Sequence, residues 1–201
     1  MSFFSSTKTA GNAFMILGIL QIIGGIAAVI APFMDQSVNQ AFSTVLGIGA
    51  IICGAIMYVY GYKVHNGSIS AKIDILAAFV RIAGITTIIA GVFTVIANVI
   101  IGADVATEAI TAIVTIVIGL IIIFISTKIN DGKQTTGDKI IWVLLMIIFI
   151  IDVILSVFTI VAGLNPISLT VIVTGICDLL VYIFMVILLC DKDVKSEMGL
   201  N

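Results

Sequence analysis

The sequence predicts an all-α fold: a polytopic membrane protein of six transmembrane helices, arranged as three tandem two-helix repeats around a pseudo-threefold axis. Its composition, its six long apolar runs and the one-sided placement of its lysines support this. Of 201 residues, 61% are hydrophobic and only 10% are charged, and the mean hydropathy is +1.33. A soluble domain carries about 25% charged residues. Most of the surface is therefore expected to face the lipid bilayer.

Six apolar stretches are each long enough to cross a ~30 Å hydrocarbon layer, which takes about 20 helical residues. Because lipid offers no partner to an unpaired backbone group, we expect each run to be a helix. A closed barrel is excluded, since the runs are continuously apolar rather than alternating. The first run is too long for a signal peptide, so we expect it to be retained. The predicted spans are 13–33, 41–62, 74–102, 107–127, 140–163 and 168–190.

The basic residues predict the orientation. Three of the five connections between spans, at 33–40, 103–106 and 164–167, contain no Lys or Arg. Eight of the nine basic residues flank the spans at the other end, where both termini also lie, and the positive-inside rule assigns that end to the cytoplasm. We therefore expect a multi-pass protein of the cell membrane with cytoplasmic N- and C-termini. These residues are Lys8, Lys63, Lys72, Lys128, Lys133, Lys139, Lys192 and Lys195.

An internal repeat with a period of about 65 residues runs through the chain. Residues 25–32 (GIAAVIAP) match residues 91–98 (GVFTVIAN) and 156–163 (SVFTIVAG). The repeats are placed at about 8–71, 72–138 and 139–192, and 193–201 form a short cytoplasmic tail that we expect to be disordered. Because each unit crosses the membrane twice, the copies share one orientation, and their symmetry axis is expected along the membrane normal.

Residues 18–32 (GILQIIGGIAAVIAP) and 46–56 (LGIGAIICGAI) carry a family resemblance. A glycine-rich helix that ends near a proline, a short outer loop and a helix with glycines about seven apart resemble the repeat of the HdeD-like acid-resistance membrane proteins. The resemblance implies six spans in a bacterial or archaeal cell membrane and a role in acid or envelope stress, with no catalytic residues. Asn98 and Gly163 replace Pro32 in the second and third copies.

Three ionisable residues fall inside the spans, where charges are costly and usually functional. Asp152 lies 13 residues past Lys139 and Asp178 lies 14 residues before Lys192, which places both acids roughly 20 Å deep. Arg81 is roughly 14 Å deep by the same rise. The predicted intramembrane cluster therefore comprises one base and two acids.

The repeat provides an internal comparison for these positions. Asp152 corresponds to Gln21 and Thr87, so the site is polar in all three copies and is expected to face the bundle axis. Two interpretations stay open. Arg81 neutralises the aspartates and joins the hairpins, or a desolvated aspartate binds and releases protons along a polar path.

Several function classes are excluded or not favoured by the sequence. The formal charge of −2 provides no basic field for nucleic acid. Three cysteines form no metal or disulfide pattern, and no hydrolase, nucleotide-binding or metalloprotease motif occurs. We therefore expect no enzyme activity, no cofactor and no metal. The sequence leaves open whether the chain forms a homo-oligomer and whether it moves protons or a small solute past Asp152 and Asp178.

Overall fold

The structure is a computed structural model that describes residues 7–34, 39–102, 105–164 and 169–200. Within these ranges the chain forms six long helices and one short one, which confirms the all-α prediction. They are α1 (Thr7–Met34), α2 (Gln40–His65), α3 (Lys72–Ile100), α4 (Val105–Ile129), α5 (Thr136–Ala162), α6 (Leu169–Cys190) and α7 (Lys192–Glu197).

The six long helices are each long and apolar enough to cross a membrane, which supports the predicted multi-pass architecture. Some extend past the predicted apolar runs: α1 begins at Thr7 and α2 continues to His65. Backbone hydrogen bonding does not stop where side chains become polar, so a span continues into the interface. The three lysine-free connections predicted at 33–40, 103–106 and 164–167 lie largely outside the described residues.

Side chains cap the N-terminal ends of two of the long helices. The Asn39 side chain accepts a hydrogen bond of 3.0 Å from the backbone N–H of Phe42 at the start of α2. At the start of α5, the Asp138 carboxylate accepts the backbone N–H of Thr135 at 2.7 Å. Both bonds satisfy N–H groups that have no partner within the helix. They define where these spans begin.

The turns before α3 and before α5 have the same construction. Gly67 has φ +79° and Gly132 has φ +69°, a left-handed conformation that other residues rarely adopt. The side chains of Asn66 and Asp131 each accept the backbone N–H two residues further along, at 2.9 and 3.0 Å. The two connections are therefore closely similar in local geometry.

Consecutive helices pack as hairpins, α1 with α2, α3 with α4 and α5 with α6. A Cβ atom at Gly18 would lie 2.6 Å from the carbonyl oxygen of Gly54, and one at Gly25 would lie 2.6 Å from that of Gly47. In lipid, where no hydrophobic effect drives helices together, small residues permit such close backbone packing. Glycine therefore sets the distance between α1 and α2.

The main core lies near the end of the bundle that carries the eight lysines, which we call the lysine-rich end. Five aromatic rings from α1, α2, α3, α5 and α6 meet there, with centroids 4.8 to 6.3 Å apart. We call them the aromatic cluster, and such pairs add directional packing to simple burial. The cluster consists of Phe14, Tyr60, Phe79, Phe149 and Tyr182.

The junctions between hairpins are unequal. The α2–α3 junction is extensive, the α1–α6 junction is smaller, and α4 contacts α5 only marginally. α3 and α6 also touch. Helices α1, α2, α3 and α6 therefore contact one another around the centre, while α4 packs mainly on α3 and α5 packs mainly on α6.

The expectation of a disordered tail is wrong for the described residues up to Leu200. α7 folds back under the bundle, and Val194 and Met198 are buried. Lys72 forms ion pairs with Asp191 at 2.5 Å and with Asp193 at 3.3 Å. Two apolar residues four apart form one helical face, which is sufficient to dock this short segment.

Candidate functional site

Two carboxyl side chains lie within the membrane-spanning part of the third hairpin. Asp152 on α5 and Asp178 on α6 are both half-buried, and α5 packs against α6. Residues at the same depth on two packed antiparallel helices lie in the same layer of the bundle. The structure thus places the two predicted acids in one layer of the α5–α6 hairpin.

Tyr182 is a third member of this site that the sequence analysis missed. It lies one helical turn past Asp178 on the same side of α6. Its ring belongs to the aromatic cluster, with its centroid 6.3 Å from that of Phe149. The spacing of four residues from Asp178 was a readable signal, because such residues share one helix face.

The aromatic cluster lies between the acids and the lysine-rich end. Phe149 precedes Asp152 by three residues on α5, and Tyr182 follows Asp178 by four on α6. At 1.5 Å per residue, both rings are about 5 Å closer to the lysine-rich end than the carboxyl groups. The acids therefore face a tightly packed apolar layer on that side.

A crevice of about 330 Å³ reaches Asp178 between α1, α2 and α6. Gln21 and Thr174 provide its other polar side chains, and Leu17, Leu20 and Met57 complete the lining. A space of this size can hold several water molecules. The predicted axial residue Gln21 thus shares one cavity with Asp178.

Thr87 is placed differently. Its hydroxyl donates to the carbonyl oxygen of Ala83 at 2.8 Å, within its own helix, and it is not among the residues that line the crevice. Ser156 likewise donates to the backbone carbonyl of Asp152 at 2.7 Å. Of the two predicted axial positions, Gln21 alone therefore shares the crevice with Asp178.

Arg81 does not join the aspartates, contrary to the expected cluster of three charges. No hydrogen bond or ion pair connects Arg81 to Asp152 or Asp178 in the described ranges. Its Nε instead donates to the Ser126 hydroxyl on α4 at 3.4 Å. The reason is rotational: Phe79 faces the core, and a residue two positions later on a helix is turned by about 200°.

Asp131 and Asp191, which lie outside the spans, each have a lysine partner. Lys72 donates to Asp191 and lowers the pKa of that carboxyl below its ordinary value. The backbone N–H of Lys133, assisted by Lys128, lowers the pKa of Asp131 in the same sense. Asp152 and Asp178 have no basic partner among the residues the structure describes.

The site offers carboxyl, amide, hydroxyl and phenol groups beside a crevice. No group of three or more His, Cys, Asp or Glu side chains able to hold a metal ion occurs in the described part of the chain. The available chemistry is proton exchange and hydrogen bonding. Comparison with family models, with curated proteins and with solved structures gives no match to this chain.

Proposed function

We propose that this multi-pass protein is an HdeD-like protein of the cell membrane, without enzymatic activity, that contributes to acid or envelope stress physiology. In this proposal it binds and releases protons at Asp152 and Asp178. Both termini and the lysine-rich end face the cytoplasm. The lipid bilayer is its one assigned partner.

The proposal includes the three-repeat, pseudo-threefold arrangement, and matched local geometry supports the relation between its first two repeats. A Cβ at Gly84 would lie 2.7 Å from the carbonyl oxygen of Gly119, as Gly18 does with Gly54 one repeat earlier. The turns at Gly67 and Gly132 repeat at the same interval. The unequal hairpin junctions are departures from strict symmetry.

The observation that carries the proton-binding function is the isolated pair of carboxyl groups. Two negative charges at one level of a low-dielectric medium are strongly unfavourable without a basic partner. A shared proton removes that repulsion. A change in external acidity would then alter the charge inside the bundle and so its packing.

Infrared difference spectroscopy tests this directly. We expect the carboxylic-acid carbonyl band of the purified protein in lipid to change with pH, and Asp152→Asn with Asp178→Asn to remove the part of that change contributed by the intramembrane acids. The matched control is Asp193→Asn, the same chemical change at an exposed acid of α7. An unchanged band in the double variant would refute the proposal.

The native cysteines test the orientation. Cys190 is exposed next to the lysine-rich end, whereas Cys53 and Cys177 are buried. A membrane-impermeant thiol reagent should label Cys190 in inside-out vesicles and not in intact cells, and Cys190→Ser should abolish labelling. Labelling in intact cells would reverse the assigned topology.

A second candidate function is conduction of protons or a small solute, which the crevice at Asp178 favours. The path would run from Gln21 to the two acids and would have to pass the aromatic cluster. Proteoliposomes with a trapped pH-sensitive dye measure the proton flux along this path. Conduction predicts a flux above that of empty liposomes that Asp178→Asn abolishes and Asp193→Asn leaves intact. Flux no higher than that of empty liposomes would eliminate conduction but not proton binding.

A further inference from the structure

Arg81 lies where two cavities meet. The first, which we call the apolar groove, is a space of about 440 Å³ between α2 and α3. The second, which we call the polar cavity, is a space of about 400 Å³ between α3, α4 and the turn before α3. Ile69, Ala78 and Arg81 line both. A single elongated molecule could therefore occupy the two spaces and contact Arg81 at their junction.

The apolar groove has the lining expected for a hydrocarbon chain. Ala55, Ile56 and Val59 on α2 face Ala78 and Ile82 on α3. Lys63 is the second cationic side chain of the groove, and it lies in the last turn of α2, near the lysine-rich end. The apolar groove is thus bordered by Lys63 on the side nearer the lysine-rich end.

The polar cavity has the lining expected for a headgroup. It combines hydroxyl, amide and carboxyl groups, whereas the apolar groove has almost none. The Asp74 carboxylate accepts a hydrogen bond from the Asn130 side chain and stays the one acid of the cavity. The polar residues are Ser68, Ser70, Asp74, Arg81, Ser126, Thr127 and Asn130.

The guanidinium of Arg81 is oriented but not neutralised. The buried Ser126 hydroxyl donates to the carbonyl oxygen of Ile123 at 2.6 Å, so its oxygen is free to accept from the Nε of Arg81. No protein partner for the two terminal nitrogens is found among the described residues. Asp74 is seven residues earlier on the same face of α3, and it forms no ion pair with Arg81.

An arginine inside a span with unpaired donors is costly unless an anion or water satisfies them. A guanidinium binds phosphate through two parallel hydrogen bonds, and its long side chain can extend toward the interface. The phosphate layer of the membrane lies at the interface, toward which the Arg81 side chain can extend and near which Lys63 lies in the last turn of α2. The charge of Arg81, its position in the span and the adjoining apolar groove therefore all favour a membrane phospholipid as the occupant.

We propose that the apolar groove and the polar cavity together bind one membrane phospholipid. An acyl chain lies in the groove, the phosphate contacts Arg81 and Lys63, and the headgroup enters the polar cavity. Asp74 favours a headgroup that carries an ammonium, such as ethanolamine, over an anionic one. This site is separate from Asp152 and Asp178 and does not depend on their proposed function.

Native mass spectrometry of delipidated protein in detergent tests the site, with phosphatidylethanolamine, phosphatidylglycerol and inorganic phosphate as separate probes. We expect Arg81→Gln to weaken phosphatidylethanolamine binding about tenfold, the usual size for a lost charge-assisted bond. The matched control is Lys139→Gln, which removes a cation from another apolar depression of about 330 Å³ that has no second charge. That control should bind as the parent does.

Two further variants separate the parts of the site. Ala55→Phe fills the groove and should weaken lipid binding with Arg81 intact, which keeps the test valid if Arg81→Gln does not fold. Asp74→Asn should shift the preference from phosphatidylethanolamine toward phosphatidylglycerol. Equal lipid binding by Arg81→Gln and Lys139→Gln, or an unaffected Ala55→Phe, would overturn the proposal. Inorganic phosphate that competes fully with lipid would overturn it as well and assign the site to a free anion.

Discussion

The half of the bundle near the lysine-rich end and the opposite half are built from the same six helices but pack differently. Phe14, Leu76 and Met185, near the lysine-rich end, are fully buried. In the opposite half, Phe33 is 73% exposed and Phe158 is 65% exposed to the surroundings of the bundle. Aromatic and aliphatic side chains join all three hairpins in the first half, whereas many face lipid in the second.

The opposite half is not uniformly open. The first and second hairpins still meet there, with Phe93 of α3 packed against Gly49 of α2. α1 and α6 instead leave the crevice at Asp178, and α4 barely contacts α5. The third hairpin is therefore held mainly by contacts near the lysine-rich end. Its two acids lie beyond those contacts, where a proton or a water molecule can approach with little displacement of packed side chains.

The largest expected effect is on the core near the lysine-rich end. Phe14 contacts the rings of Tyr60 and Phe79, with centroids 4.8 and 5.4 Å away. Phe14→Ala should lower the free energy of unfolding by about 3–5 kcal/mol, because it leaves a cavity that three helices cannot close. Reversible unfolding in mixed micelles measures it.

Phe158→Ala is the matched control, the same deletion at a lipid-facing position of the opposite half. Lipid or detergent replaces its contacts, so the free energy of unfolding should change little. Comparable losses of unfolding free energy in Phe14→Ala and Phe158→Ala would show that side-chain packing stabilises both halves equally. The proposed difference between the two halves would then be wrong.

A smaller effect is expected within the first hairpin, where packing is tight in both halves. Gly18→Ala places a Cβ 2.6 Å from the backbone of α2, whereas a Cβ at Gly24 meets nothing within 4 Å. Gly18→Ala should cost about 1–3 kcal/mol through forced separation of the helices. Gly24→Ala should not reduce the free energy of unfolding. Equal melting temperatures for the two variants would argue against glycine-controlled packing.

Much of this fold follows from the sequence because lipid allows few solutions. Six apolar runs must be helices, and short connections make consecutive helices neighbours. The equal depth of Asp152 and Asp178 follows from helical rise alone. Depth and chain order could therefore be predicted without knowledge of tertiary packing.

The rotation of each helix about its own axis could not be predicted from the sequence. This is why Arg81 was expected beside the aspartates but lies beside Ser126 instead. A helix that is apolar on every side gives no pattern to show which face is inward. In α3 the inward face is set by Leu76, Phe79 and Val80 against other helices, which turns Arg81 toward α4. The docked α7 was missed for another reason: its charged residues obscured the apolar pair Val194 and Met198.

The smallest expected effect concerns α7, which closes the lysine-rich end. Lys72 lowers the pKa of Asp191, so this ion pair stabilises the docked helix above the ordinary aspartate value of 3.8. The contribution is lost as pH falls through the lowered pKa of the folded state. Asp191→Asn should therefore make α7 easier to detach near neutral pH and remove this part of its acid dependence.

The single tryptophan reports on this transition, because Trp142 donates to the carbonyl oxygen of Leu189 at 2.8 Å and Lys195 lies over its ring. On heating without denaturant at neutral pH, the fluorescence change that accompanies detachment of α7 should occur at a higher temperature in the parent than in Asp191→Asn. The two should converge under strongly acidic conditions. Asp193→Asn removes a more exposed and longer ion pair, so it should behave nearly as the parent does. A larger shift for Asp193→Asn than for Asp191→Asn would show that Asp193 is the main ion-pair partner of Lys72. No shift in either variant would show that α7 is held chiefly by its buried face.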